Sequence, residues 1–476
     1  MAIEGETDER SDALPDGPAE RRTRSVYAEN GALDRAFMDE VRATIAAGDV
    51  DTLRQQVETL HESETGDVLE ALEPEERERF VALLGDDFDF TALREVDEAV
   101  REQIVGGLDT EQIAEGLSEL DSDDAVYILE DLEDQLQNEV LAALPFTERV
   151  RLRRALDYPE ESAGRRMQTE FVAVPPFWTV GQAIDHLRED DRLPDSFNQV
   201  FVVDPSFRLL GAIRLDRLLR NVRPTAIESI MEETAHAIPA ELDQEEAAQV
   251  MEQYDLLAAP VVDENARLVG VLTIDDVVDV IREEAEEDIL RLAGVGDEEL
   301  SDSVRATARS RFVWLLVNLA TAVMASLVIG LFDATIQQMV ALAVLMPIVA
   351  SMGGNAATQT MTVAVRALAT REIDIYNARR IITRELAVGL LNGVGFAILT
   401  GALAWLWFGM GSLALVIALA MVINMLSAAL AGILVPLVLD RLNADPAIAS
   451  SVFVTTVTDV VGFFAFLGLA QWWFGL

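Results

Sequence analysis

Five apolar stretches dominate the chain after residue 304, at 311–331, 337–369, 385–408, 412–439 and 449–474. Each approaches or exceeds the ~20 residues an α-helix needs to cross a bilayer. In hydrocarbon the backbone amides must be satisfied internally, so such stretches fold as spanning helices, and the lipid bilayer is a partner. Arginine placement sets the orientation. Arg305, Arg309 and Arg311 precede the first stretch. Arg366, Arg371, Arg379, Arg380 and Arg384 crowd the connection between the second and third, and Arg441 follows the fourth, while the loops around Asp333 and Gly409 carry no base. Basic loops stay in the cytoplasm. The expectation is a multi-pass cell-membrane protein with a cytoplasmic N-terminus, an extracellular C-terminus, and Trp472 and Trp473 at the outer interface.

The charge lies elsewhere. The 476 residues carry a formal net charge of -47, yet from Val304 onward there are only seven acids and nine arginines. The preceding part holds 76 acids against 27 bases, none of them lysine. Acid excess without lysine fits a halophilic cytoplasm, where multimolar salt screens self-repulsion within about 3 Å. It argues against nucleic acid as a partner. With no cysteine and only His61, His186 and His236, scattered, neither disulfides nor a zinc site is expected.

Residues 1–28 are polar and acidic and read as a disordered tail. From 29 to 160, runs such as "VDTLRQQVETL" and "SDDAVYILEDLEDQLQNEVLAALP" place Leu, Val and Ile at helical spacing, and "EPEER" and "LDSDDA" look like helix starts. This predicts an all-α superhelical domain without a catalytic constellation. Two similar units follow, at 161–225 and 226–283. Each has a short strand, an amphipathic helix, "VFVVD" or "APVVD", a turn, a second strand ("GAIRL", "GVLTI") and a closing helix. This βαββα repeat resembles the CBS domain, and two in tandem form an α/β regulatory pair. Some such modules bind adenine nucleotides through a Thr/Ser-x-x-Asp turn. Thr273 and Asp276 fit it in the second unit, whereas Arg214 stands where the hydroxyl would be in the first. An acidic connecting helix is expected at 284–304, then a five-helix transmembrane domain over 305–476.

Within the last apolar stretch, Ser451, Thr455 and Asp459 recur every fourth residue and form one polar stripe. Asp459 lies about 18 Å from the start of its span. No histidine or arginine occurs at that depth, so a carboxylate there is either protonated or faces water and a mobile cation. The second stretch holds Pro347, Gly353, Gly354, Asn355, Thr358 and Gln359. That pattern is read either as helix broken around a water-filled cavity or as a close helix crossing. The ligands on offer, Asp459, Asn355, Thr358, Ser451, Thr455 and main-chain carbonyls, are all oxygens, which favours a hard cation such as Mg²⁺. A two-fold dimer would place two Asp459 carboxylates around one divalent ion.

The order of these parts, with "LDYPEESAGRRMQTEFVAV", "ASMGGNAATQT", "RALATREID" and "DPAIASSVFVTTVTDVVG", resembles the MgtE family of magnesium channels. The resemblance implies a homodimeric Mg²⁺-selective channel or transporter, not an enzyme, in which Asp459 is the pore carboxylate. Where members of that family often read GGNxGNQ, this chain reads GGNAATQ, so Thr358 stands in for an asparagine. The resemblance also implies a cytosolic Mg²⁺ sensor that shuts the pore, with Asp255, Asp276, Asp279, Glu287, Asp288 and Asp445 at matching positions. Two other readings stay open: a CBS-regulated carrier for another divalent cation such as Co²⁺ or Mn²⁺, and a membrane Mg²⁺ receptor that transports nothing.

Overall fold

The computed structural model describes residues 26–28, 30–190, 193–194, 196–233, 236–295, 304–373, 377–442, 444–448 and 451–475. Most of the acidic tail, residues 296–303 of the connecting segment and residues 449–450 of the fifth stretch lie outside them. Val26 and Tyr27 do not belong to a disordered tail: Val26 is buried, and the Tyr27 hydroxyl donates to Asp67 at 2.5 Å. The chain divides into two compact units, Met1–Glu241 with Pro260–Val271, and Leu242–Ala259 with Leu272–Leu476.

The first unit begins with helices α1 to α9, at Arg35–Ala47, Val50–Val57, Glu62–Ala71, Pro74–Leu84, Glu98–Gly106, Thr110–Ser118, Ser122–Glu130, Asp134–Ala143 and Phe146–Leu156. Their starts are written into the sequence. Asp34 accepts from the Ala36 and Phe37 amides, Asp109 and Gln112 form a capping box, and Pro74 opens α4 behind Glu73. Their apolar faces meet in one core containing Leu53, Leu69, Phe80, Leu93, Ile113 and Ile128. One cation is enclosed there. Arg101, 3% exposed, donates to the Leu93 and Val96 carbonyls, pairs with Asp131 and stacks on Tyr127. Arg101→Met would strand the Asp131 carboxylate and both carbonyls. We expect a loss of about 3 kcal/mol, read as a lower unfolding temperature of this domain in the full-length protein.

After α10 (Ala163–Arg166) come the two α/β units: β1 (Ala173–Val174), α11 (Val180–Glu189), β2 (Gln199–Val203), β3 (Leu209–Arg214) and α12 (Leu215–Arg220), then β4 (Ile238–Pro239), α13 (Gln244–Gln253), β5 (Ala258–Val262), β6 (Leu268–Thr273) and α14 (Ile274–Ala293). The sheets run β1-β2-β3 and β4-β5-β6. In the first, β1 is parallel and β3 antiparallel to β2, with Phe201 opposite Ala212. Val200, Val202 and Ile213 alternate onto a core with Val180 and Leu218. Backbone bonds tie the two repeats together: the Leu209 amide donates to Ala266 at 3.0 Å and the Leu268 amide to Phe207 at 2.9 Å.

In the second unit, the closing helix of the second repeat and the connecting helix, on either side of the 283/284 boundary, are one helix from Ile274 to Ala293. No Gly or Pro interrupts it before Gly294, whose φ of 71° ends it. Among the described residues, five helices are long and apolar enough to cross a membrane. They belong to α15 (Val304–Gly330), α17 (Ala341–Ala369), α18 (Ala378–Phe408), α19 (Gly411–Arg441) and α20 (Ser451–Phe474), with a short α16 (Asp333–Gln338) after the first. α19 is the centre of the bundle, touching α17, α18 and α20 and packing Val416, Ile417, Ala420 and Met421 against Leu345, Val349 and Phe466. α17 is not broken: Pro347, Gly353 and Gly354 all lie inside one continuous helix. Pro347 removes a single amide, and the glycines let neighbouring helices approach closely.

Candidate functional site

The intramembrane face is built on α17 and α20. The threonine hydroxyls of α20 turn back onto their own helix: Thr455 donates to the Ser451 carbonyl at 2.7 Å and Thr458 to that of Thr455 at 2.9 Å. Asp459, on the same stripe as Ser451 and Thr455, is half-buried. Its carboxylate has no hydrogen bond or ion pair among the described residues. On α17, Asn355 is exposed, and Thr358 is half-buried and donates to the Gly354 carbonyl at 3.0 Å. A Cβ placed on Gly354 would stand 3.1 Å from Thr455 Cγ2, so the two helices meet one turn before Asp459. The fold thus brings Gly354, Thr455 and the Asp459 stripe to one face made of oxygen donors. Such a face suits a hydrated hard cation.

A second acidic group lies between α13, α14 and the turn before α20. Glu245, in the first turn of α13, is pushed up to about 7 by burial, then by the facing carboxylates of Glu284, Asp288 and Asp243. Asp288 is held above the usual carboxylate range by burial and then by Asp445. Arg291 pairs with both Glu287 and Asp445. Asp445 also accepts from the Ala447 amide at 2.7 Å, capping the short 3-10 turn Pro446–Ile448. Among the described residues no three acids or histidines stand close enough to form a finished metal cage. The raised acids are instead carboxyls whose ionised form is disfavoured by burial and by one another, chemically suited to an oxygen-loving dication that keeps part of its water.

Of the expected sensor residues, Glu287, Asp288 and Asp445 meet in this cluster. Asp276 is buried and takes a hydrogen bond from the Thr273 hydroxyl at the mouth of α14. Asp279 is half-buried further along α14. Asp255 is exposed on the turn after α13, at φ 52°, with no side-chain partner among the described residues. Glu245, Glu284 and Arg291 escaped the sequence reading.

The same helix α13 reaches the end of α17. Gln249 donates to the Ala369 carbonyl at 2.9 Å, and Glu246 lies 3.5 Å from Arg371. Glu245 of the cluster and a cap on a spanning helix therefore share one helix of ten residues.

Known proteins match this chain along most of its length. The MgtE family model, described as a divalent cation transporter, matches residues 346–469; the MgtE intracellular N domain matches 60–161, and the CBS domain 163–224 and 227–283. The magnesium transporter MgtE of Thermus thermophilus is 35% identical over 317 residues, 66% of this chain and 70% of that relative. That of Enterococcus faecalis is 34% identical over 320 residues, covering 67% and 71%. That of Bacillus subtilis is 28% identical over 424 residues, covering 89% and 94%.

Proposed function

The chain belongs to the MgtE family of magnesium transporters, and from that premise we propose that it passes Mg²⁺ into the cell along the Asp459 face and closes when cytosolic Mg²⁺ occupies the acid cluster around Glu245 and Asp288. The observation that carries the first half is a half-buried carboxylate inside α20 with no partner among the described residues. A charge at membrane depth marks a path for an ion or for water. One carboxylate per chain is a thin field for a dication, so the working unit is a homodimer with two copies of Asp459 facing one path. Ile274, Val278, Ile281 and Ile289 leave an exposed apolar stripe along α14, which a second copy would cover. Asn355, Thr358 and Ser451 add neutral oxygens to the path.

The acid cluster supplies the second half. Glu245, Glu284, Asp288 and Asp445 repel one another, and a divalent ion among them turns that repulsion into attraction between α13, α14 and the foot of α20. Asp255, Asp276 and Asp279 are peripheral to this cluster. The N-terminus is cytoplasmic and the C-terminus extracellular, by arginine placement. An adenine nucleotide would take the second repeat alone: Thr273 and Asp276 are kept there, while Arg214 in the first repeat sits 3.1 Å from Asp216.

Mg²⁺ uptake into proteoliposomes tests the reading. Uptake that is suppressed by Mg²⁺ on the side of the soluble domains is the expected result. Equal or greater flux of Co²⁺ or Mn²⁺ would move the assignment to a broader divalent carrier, and no flux of any ion would leave a receptor. The α13 contact adds a separate expectation. Gln249→Ala uncaps Ala369, so the Mg²⁺ concentration for half-closure should rise severalfold with flux of the open state unchanged. A mutant with wild-type closure would remove α13 from the gating route.

A further inference from the structure

We infer that Asn424, in the fourth span, is a positioning residue for ion transport, whose amide ties α17 to α20 beside the Asp459 face. The inference rests on the transport reading above. Asn424 is fully buried in the bundle, at 0% exposure. Its Nδ2 donates to the Val349 carbonyl of α17 at 2.8 Å. A carbonyl only accepts, so the nitrogen end must face α17. Oδ1 is buried with no hydrogen-bond partner among the described residues.

The amide fits because its neighbours on both sides are glycines. A Cβ on Gly353 would stand 2.2 Å from Nδ2, and one on Gly462 would stand 2.8 Å from Nδ2 and 3.0 Å from Oδ1. A side chain of α19 is thus wedged against the backbones of α17 and α20 at once. Its surroundings are apolar, with Met421 and Met425 on its own helix and Val349 opposite. A leucine would fill a similar volume there without burying an unpaired oxygen. What the amide provides in return is a fixed distance between two helices at one depth. That depth is where Asp459 sits. Gly353 adjoins Gly354, which packs on Thr455 one turn before Asp459, and Gly462 lies about one turn after it. The contacts bracket the carboxylate, so the amide sets the spacing of the oxygens a hydrated ion would meet.

The chain's lack of cysteine supplies a clean reporter. A Cβ on Gly354 would lie 3.7 Å from Thr455 Cβ. Disulfides favour a separation of about 3.8 Å. The test is the oxidation rate of the full-length Gly354→Cys/Thr455→Cys protein in liposomes, with and without Asn424→Leu. Beside it runs the ratio of Mg²⁺ to Ca²⁺ flux for Asn424→Leu in the cysteine-free chain. The flux ratio is independent of how much protein folds. With Asn424→Leu we expect roughly five- to tenfold slower cross-linking and a comparable loss of the ratio. If Asn424→Leu does not assemble, Gly353→Ala/Asn424→Ala replaces it; its new methyl fills the space the amide leaves, and the same losses are expected. An unchanged cross-linking rate overturns the proposal whatever the flux. So does slower cross-linking with an unchanged ratio, since Asn424 would then order helices without shaping the path. If the wild type moves no Mg²⁺ while cross-linking still depends on Asn424, the transport reading fails, and the functional half of this proposal fails with it.

Discussion

Asp459→Asn should reduce Mg²⁺ uptake in proteoliposomes by at least about tenfold while leaving assembly intact. The substitution keeps the size of the side chain and removes its charge. Two unit charges about 4 Å apart interact by about 4 kcal/mol at an effective dielectric of 20, and a dication feels twice that from each carboxylate. Loss of both copies in a dimer removes the whole field that offsets the ion's lost outer hydration. Asp459→Glu should retain part of the flux, because it keeps the charge and shifts it by one methylene. Wild-type uptake in the Asn variant would show that Asp459 is a neutral structural group and that the path runs elsewhere.

Closure by cytosolic Mg²⁺ should weaken as the medium is acidified. Glu245 is pushed up to about 7 by burial and by the carboxylates of Glu284, Asp288 and Asp243. A carboxyl raised in the folded state binds its proton more tightly there than in the unfolded chain. Without a bound cation, its ionised form therefore destabilises the fold above about pH 7, and that penalty fades as pH falls through 7 towards the ordinary carboxyl range. A dication competes for the same site, so protons and Mg²⁺ exclude each other. One competing proton raises the half-closing Mg²⁺ concentration by about tenfold between pH 8 and pH 6. Glu245→Gln should flatten that dependence and weaken closure at every pH. A midpoint that is independent of pH in the wild type would exclude Glu245 from the sensing group.

These groups were not equally visible beforehand. Asp459 stood out because a lone carboxylate in an apolar run has few explanations. The helical domain, the paired βαββα units and the five spans were legible from periodicity, strand motifs and length. Pro74, behind Glu73, announced its helix start through a local rule that needs no tertiary partner. Gly353-Gly354 allowed two readings, and only the neighbours decide: Asn424 and Thr455 stand against the glycines, so the motif serves a close crossing. Glu245 was hidden because it is one of 83 acids and sits in a helix first turn, where carboxylates are common for reasons of their own. Its distinction comes from burial and then from Glu284, some forty positions away. Asn424 was hidden in the same way, since an amide on an apolar helix signals nothing until its partners on two other helices are known.

The unbroken α14 places an unusual constraint on length variation. Linkers between regulatory modules and membrane domains commonly tolerate insertions, because a flexible segment loses little when it grows. A rigid rod has a phase. One residue inserted between Val280 and Glu284 would rotate everything beyond it by about 100° and lift it by about 1.5 Å. Glu284, Asp288 and Arg291 would then swing away from Glu245 together. Seven inserted residues would nearly restore the angle but displace the rod by about 10.5 Å. Between the start of this helix and its terminal glycine, the chain can therefore exchange side chains but cannot change its count.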